Sequence, residues 1–259
     1  MYMKKNKLAV IDSEGMSRIL VFGDIHGDYA ALSAGLKMVS ESDLVLFLGD
    51  YADRGPQGVE VIQKIDECIS ELPEQYIAVK GNHEDYLDSG TPAFSPCTLI
   101  QEVQQKGESW DDFFPQFTFF VEKLYLSALL PGYGLFVHGG ISTRIRSVDD
   151  LQYPERETEE TLLWSDPGDN EGEERNPRGA GYLFGPDVTT EVLSGLRVSR
   201  LFRSHQPRKA SGGPAVEHSG RVVTLNSTSV YGGRPFILVL PVDSLPETDE
   251  EMKNASVFL

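Results

Sequence analysis

The stretch RILVFGDIHGDYAALSAGLKMVSESDLVLFLGD, residues 18–50, decides the fold. Its first five residues, RILVF (18–22), are a short apolar run rich in branched side chains, which reads as a buried strand. YAALSAGLKMV (29–39) places apolar residues at helical spacing. DLVLFLGD (43–50) is a second buried strand. Downstream, GVEVIQKIDECI (58–69) repeats the amphipathic helix and QYIAVKGN (75–82) repeats the strand. Strand, helix, strand, helix, strand predicts parallel pairing, because each helix carries the chain back over the sheet. Each strand ends in a polar turn containing glycine. In open α/β sheets ligands bind beyond the carboxyl ends of the strands, so these three turns should converge.

The remainder divides less sharply. Over 88–130 an irregular segment is followed by a helical pattern, TLIQEVQQ, and an aromatic run, FFPQFTFFVEKLYLSALL; together they predict a helical insert. YGLFVHGG (133–140) returns to strand, and an acidic, glycine- and proline-rich loop, WSDPGDNEGEERNPRGAG, follows (164–181). VSRLFRSHQ, GRVVTLNSTS and RPFILVLPV read as later strands of a second, mixed or antiparallel sheet, since short links join them. The acidic tail, 243–259, reads as partly disordered. There is no internal repeat and no long linker, so a single domain over 1–259 is expected.

Composition narrows the partners. Forty acidic against 23 basic residues give a formal charge of −17, which argues against a nucleic-acid backbone or an anionic membrane surface. No apolar run approaches the roughly 20 residues of a membrane span, and LAVI is too short for a secretory core, so a cytoplasmic location is expected. Two cysteines cannot build a disulfide framework or a thiolate metal site, and Cys68 falls in an apolar helical pattern as core filling.

The polar residues at the strand exits are the informative ones: Asp24 and His26 in GDIHG, Asp50 and Asp53 in GDYADRG, Asn82 and His83 in GNHE, His138 in VHGG and His205 in RSHQ. Four of the five histidines belong to this set; His218 has no such context and reads as a surface residue. Any one motif is explained by a turn. Five strand exits, each carrying carboxylate, imidazole or amide beside glycine, are not. Oxygen and nitrogen donors without thiolate suit manganese, iron or zinc. There are donors enough for two ions, and an acid at the middle strand end is placed to bridge them. Asp24 and His26, two apart, point to one side if extended backbone persists there. Two divalent ions against two aspartates leave roughly +2 locally, the positive centre that a phosphate needs in an acidic protein.

GDIHG, GDYADRG, GNHE and HGG, in this order, resemble the signature of the phosphoprotein phosphatase family of metallophosphoesterases, and WSDP, NPRG and RSHQ resemble its later motifs. The resemblance implies an αββα sandwich of two mixed sheets flanked by helices, with a dinuclear centre between the sheets. It implies Asp24, His26 and Asp50 on one metal, and Asp50, Asn82, His138 and His205 on the other, with manganese the first expectation. It makes His83 the general acid, oriented by Asp53, and gives the phosphate oxygens to Arg54, Arg178 and Tyr231. Arginine suits that role because its planar fork bonds two oxygens. Glu84 reads either as support for its neighbours or as a first-turn carboxylate. The acidic run DNEGEE (169–174) reads as a solvated loop, with a bias towards basic substrate flanks as a second reading. The implied activity is hydrolysis of a phosphorylated protein or a small phosphoester by direct attack of metal-activated water. The first choice is a serine/threonine phosphatase of prokaryotic type. The alternative is a symmetrical dinucleoside tetraphosphate hydrolase, a branch that tends to GNHD and HAG where this chain has GNHE and HGG.

Overall fold

A computed structural model describes residues 2–259. In chain order the strands are β1 (Tyr2–Lys5), β2 (Leu8–Ile11), β3 (Arg18–Phe22), β4 (Asp43–Phe47), β5 (Tyr76–Ala78), β6 (Ser127–Leu130), β7 (Gly134–Val137), β8 (Asp166–Pro167), β9 (Glu173–Arg175), β10 (Tyr182–Phe184), β11 (Arg200–Arg203), β12 (Ala215–Glu217), β13 (Val222–Thr224), β14 (Phe236–Pro241) and β15 (Ser256–Phe258). The helices are α1 (Tyr29–Leu36), α2 (Gly58–Glu71), α3 (Leu99–Gln105), α4 (Trp110–Glu122), α5 (Val148–Gln152), α6 (Arg156–Trp164), α7 (Pro186–Leu196) and α8 (Asp249–Asn254).

The predicted parallel unit is present. Leu20 lies opposite Val45, and Val45 opposite Tyr76, in parallel register across β3, β4 and β5. These strands belong to a five-stranded sheet of order β15-β14-β3-β4-β5, while a seven-stranded sheet runs β1-β2-β6-β7-β11-β13-β12. Alternation along β3 explains the layering. Ile19 and Val21 face the second sheet, in a core with Leu44, Leu46, Phe136, Phe202 and Val223. Leu20 and Phe22 face the helices, in a core with Ile62, Ile65, Phe117 and Phe120. The outer face of the seven-stranded sheet packs Leu135, Val137 and Leu201 against Leu162, Val188 and Val192 of α6 and α7. The result is the αββα sandwich that the resemblance implies. Each buried Leu, Val or Phe contributes roughly 1.5–3 kcal/mol to it. No helix among the described residues is long and apolar enough to cross a membrane.

Three expectations are corrected. RPFILVLPV does not join the second sheet: β14 pairs antiparallel with β3, Leu238 opposite Val21. The link from β13 crosses between the sheets, where Asn226 bridges to Asp24 and the Ser227 hydroxyl accepts from Gly23 N and donates to Phe236 O. The acidic tail is ordered. Thr248 and Glu251 cap α8 reciprocally, Met252 is buried, and β15 pairs with β14. The insert is helical only as far as Glu122; residues 127–130 are a strand of the seven-stranded sheet. Cys68 fills core as read.

Candidate metal centre and active site

The glycines come first, because they decide how near the turns can approach. A Cβ on Gly49 would lie 2.5 Å from Gly81 Cα, and one on Gly81 would lie 2.3 Å from Asp50 N. The GDYADRG and GNHE turns therefore meet backbone against backbone. Five of the nine described non-glycine residues with positive φ stand here: His26, Asp50, Asp53, Arg54 and His205, at +47° to +70°. Such conformations cost free energy and persist where the surrounding structure holds them, commonly at functional sites. His26 is thus not extended, as its two-residue spacing from Asp24 suggested; the turn brings the pair together instead.

All six predicted ligands converge, each at most 5% exposed. His26 Nε2 lies 3.8 Å from Asp24 Oδ2 and 3.4 Å from Asp50 Oδ2. On the other side His138 Nε2 lies 3.4 Å from Asp50 Oδ1, 3.0 Å from Asn82 Oδ1 and 3.1 Å from His205 Nδ1. Asp50 thus turns one oxygen to each group.

Hydrogen-bond accounting shows what this cluster lacks. His26 Nδ1 lies 2.9 Å from Ala52 O, and His138 Nδ1 lies 2.7 Å from Leu48 O. A carbonyl only accepts, so both Nδ1 atoms carry the proton and both Nε2 atoms present bare lone pairs inward. Burial, chiefly, lowers both histidines to about 4, and drives His205 well below its usual value, so the imidazoles are neutral near pH 7. Asp24 Oδ1 accepts from the Ser204 hydroxyl and, at 2.9 Å, from His205 N, whereas Asp24 Oδ2 is buried with no partner. Burial, with the charges of Asp24 and Glu84, pushes Asp50 well above the carboxylate range. Bare lone pairs, an orphaned carboxylate oxygen and an Asp50 carboxylate crowded by other acids fit cations, which satisfy all of them at once.

His83 stands beside this cluster. Its Nδ1 lies 2.7 Å from Asp53 Oδ2, and its ring meets His26 edge-on at 4.9 Å. Burial alone would raise Asp53. The bond and charge of His83, with Thr98 N and Leu99 N donating to Oδ1, hold it below the usual range instead. Asp53 thus fixes Nδ1–H and leaves His83 Nε2 for the cavity. Ligand atoms of His26, Asp50 and His83 also lie within 4.8 Å of one another, close enough to hold a cation. The orphaned oxygen assigns the ligand place to Asp24. Glu84 supports its neighbours: its carboxylate accepts from Asp50 N, Tyr51 N and Gly81 N at 2.8–2.9 Å, tying the two turns together.

A cavity of about 800 Å³ opens over the centre and includes Arg54, Arg178 and Tyr231. Arg54 Nε donates to Tyr231 Oη at 3.0 Å, and that hydroxyl lies 3.5 Å from His26 Nε2. The tyrosine loop is pinned where Ser229 N donates to Asp28 Oδ2. Arg178 Nε lies 3.2 Å from Asp166 Oδ2. Asp166 also accepts from the fully buried Arg203 at 2.7 Å and from Asn176 Nδ2 at 3.0 Å. WSDP, NPRG and RSHQ are therefore one network.

Sequence reading missed Asp166, Arg203, Ser204 and Phe94. The first three lie inside motifs already singled out; Phe94, whose ring centroid is 4.3 Å from that of His83, carries no local signal. His218 is corrected: half-buried, it bonds Thr189 Oγ1 and Gly168 O and tethers the 168 loop to α7. The acidic run is also no plain loop. Part of it is β9, paired with β10, and Gly172 N donates to Asp187 in α7.

Residues 17–209 match the calcineurin-like phosphoesterase family. The chain belongs to that family. It is 33% identical over 233 residues, 86% of its length, to a protein named probable serine/threonine-protein phosphatase from Encephalitozoon cuniculi, covering 50% of that protein. It is 31% identical over 210 residues, 76% of its length, to a serine/threonine-protein phosphatase of Caenorhabditis elegans, covering 44% of it. The chain thus spans about half the length of these curated relatives. Among solved structures, a Saccharomyces cerevisiae protein serine/threonine phosphatase with similarity to human phosphatase PP5 superposes with a TM-score of 0.80. The overlap covers 98% of this chain and 82% of that one, at 24% identity, and shows a shared fold.

Proposed function

We propose that the chain is a metal-dependent phosphatase acting on phosphoserine and phosphothreonine in proteins. The observation that carries this is the convergence of Asp24, His26, Asp50, Asn82, His138 and His205 as inward-facing donors without their own hydrogens, beneath a cavity with two arginines. We assign Asp24, His26 and Asp50 to one ion and Asp50, Asn82, His138 and His205 to the other. Donors without thiolate favour manganese, with iron or zinc able to replace it. Two divalent ions held by these residues would supply positive charge for a water and a phosphate at this place.

The protein's own groups do the rest. Arg54 and Arg178 orient the phosphate through charge-assisted hydrogen bonds, and Tyr231 holds the Arg54 fork in place. His83 Nε2 gives its proton to the leaving serine or threonine oxygen. Asp53 stabilises the imidazolium before that transfer and keeps Nδ1 protonated throughout. The 31–33% identity to proteins named as serine/threonine phosphatases favours a protein substrate over a dinucleoside tetraphosphate.

The test uses protein stripped of metal and reloaded with Mn²⁺. We expect kcat/KM for a phosphothreonine peptide to exceed that for a symmetrical dinucleoside tetraphosphate. The reverse ranking would move the reading to nucleotide clearance, with the same residues in the same roles. Bound metal with turnover of neither substrate would sink the phosphatase reading.

A further inference from the structure

Beside the catalytic cavity lies a second one of about 400 Å³, which shares Arg178, His205 and Tyr231 with it and adds Arg208 and Lys209. After His205 the chain turns sharply, and the turn is anchored. Gln206 Oε1 accepts from buried Arg203 at 2.8 Å, Pro207 is buried, and Lys209 N donates to Gln206 O at 3.0 Å. Arg208 projects from this fixed turn. It is exposed, with its guanidinium 5.6 Å from the Tyr231 ring centroid.

The neighbouring cations each have a carboxylate partner. Lys209 pairs with Glu217 at 2.6 Å, and Arg178 with Asp166 at 3.2 Å. Arg208 has no carboxylate within 4.0 Å among the described residues. In a chain of charge −17 an unpaired guanidinium at a cavity edge goes against the general balance. Among the described residues lining the two cavities, the one carboxylate is Asp50, on the floor. The acidic run 169–174 does not line either cavity. The mouth on this side is therefore positive.

Resting on the phosphatase reading, we propose that Arg208 forms an anion subsite beside the catalytic centre. It selects protein substrates that carry a further negative group next to the phosphorylated residue. The Tyr231 ring, 5.6 Å from the guanidinium, gives a cation–π contact at the cavity edge, and the guanidinium fork suits a carboxylate or a second phosphate. This is opposite to the preference for basic flanks that the acidic loop suggested.

The experiment uses the full chain loaded with Mn²⁺ and phosphothreonine peptides of one sequence, with neutral, aspartate, second-phosphoserine or lysine neighbours on either side. A small aryl phosphate with no flank accompanies them. For wild type, kcat/KM should be about three- to tenfold higher for the acidic flanks than for the neutral one. The ratio should fall towards one as salt rises, because the contact is exposed. Arg208→Glu should bring the ratio to one or below and favour the lysine flank; Arg208→Ala should remove the preference without inverting it. An advantage for the second phosphate alone would identify phosphate as the ligand, and an equal one for aspartate would identify charge. Equal kcat/KM for all flanks, or an unchanged ratio in Arg208→Glu, would overturn the inference and leave the phosphatase reading standing. Turnover of no peptide and no aryl phosphate by metal-loaded wild type would overturn both.

Discussion

The two ends of β3 and β4 hold the same kind of residue under opposite conditions. At their N-terminal ends Asp43 is fully satisfied. Arg18 Nε and Nη2 reach its two oxygens at 2.9 and 2.5 Å, and Ser40 N donates at 2.8 Å. At their C-terminal ends Asp24 keeps a buried oxygen with no partner, and Asp50 accepts from the single backbone donor His83 N. Burial acts against the ionised form at both ends. Arg18 and Ser40 overcome it and hold Asp43 below the usual carboxylate range, whereas Asp50, with Asp24 and Glu84 nearby, is driven well above it. One end of the sheet spends its acids on stability and the other leaves them unmet until a cation arrives.

The strongest way to break that contrast is Asp50→Asn. Metal content, measured by inductively coupled plasma mass spectrometry, should collapse. Turnover should fall at least about ten-thousandfold, because several kcal/mol of charge stabilisation go with the ions. In metal-free protein the same change should leave the melting temperature equal or higher, since it relieves repulsion in a buried cluster. A metal-free variant markedly less stable than metal-free wild type would make Asp50 a structural acid like Asp43.

Next in size is His83→Asn. It should keep both ions and lose about 10²–10⁴-fold in kcat, the scale of general acid catalysis. His83 also lies within ligand distance of His26 and Asp50, so the metal assay decides between acid and ligand. A variant that lost an ion would place His83 in the coordination set and leave the leaving-group proton to another residue.

Glu84→Gln probes the join between the two kinds of acid. Glu84 is buried like the ligands but satisfied like Asp43, through three backbone N–H groups. The substitution should cost about 1–3 kcal/mol by denaturant unfolding, as one amide nitrogen faces those donors. It should also weaken metal binding about 10–100-fold, the usual effect of disturbing a ligand's support. Full stability with weakened metal would show that the glycine contact alone holds the turns.

What could be read beforehand follows the reach of each signal. Asp24, Asp50, Asn82, His138 and His205 were legible because each sits one to four residues beyond an apolar strand, and strand exits are local features. The parallel unit was legible because strand and helix periods differ. The place of β14 was not: nothing in RPFILVLPV says whether it pairs with β3 or β13, and the crossing at Asn226 depends on Asp24, far away in sequence. The tail looked soluble by charge alone, yet its buried Met252 and the capping pair Thr248 and Glu251 order it. The Asp166, Asn176, Arg178 and Arg203 network was visible as separate motifs and not as one object, because its bonds join residues up to 37 apart. Arg208 drew no attention, because an exposed arginine has meaning only beside the cavity it edges.

The smallest expected effect lies at the satisfied end. Asp43→Asn removes one partner of a charge-assisted pair and should cost about 1–3 kcal/mol near neutral pH, with metal content and kcat unchanged. Arg18 is a third exposed, so solvent screens part of the attraction and the lower half of that range is expected. The pH dependence gives the sharper reading. The folded carboxyl of Asp43 titrates below its unfolded value of about 4. Its contribution is therefore complete above that unfolded value and disappears as pH falls through the lower, folded one. The stability difference between wild type and Asp43→Asn should be constant from pH 7 to 5 and shrink below about pH 4. A difference that grew on acidification would mean that Asp43 holds a proton in the folded protein, and the two ends of the sheet would then be alike.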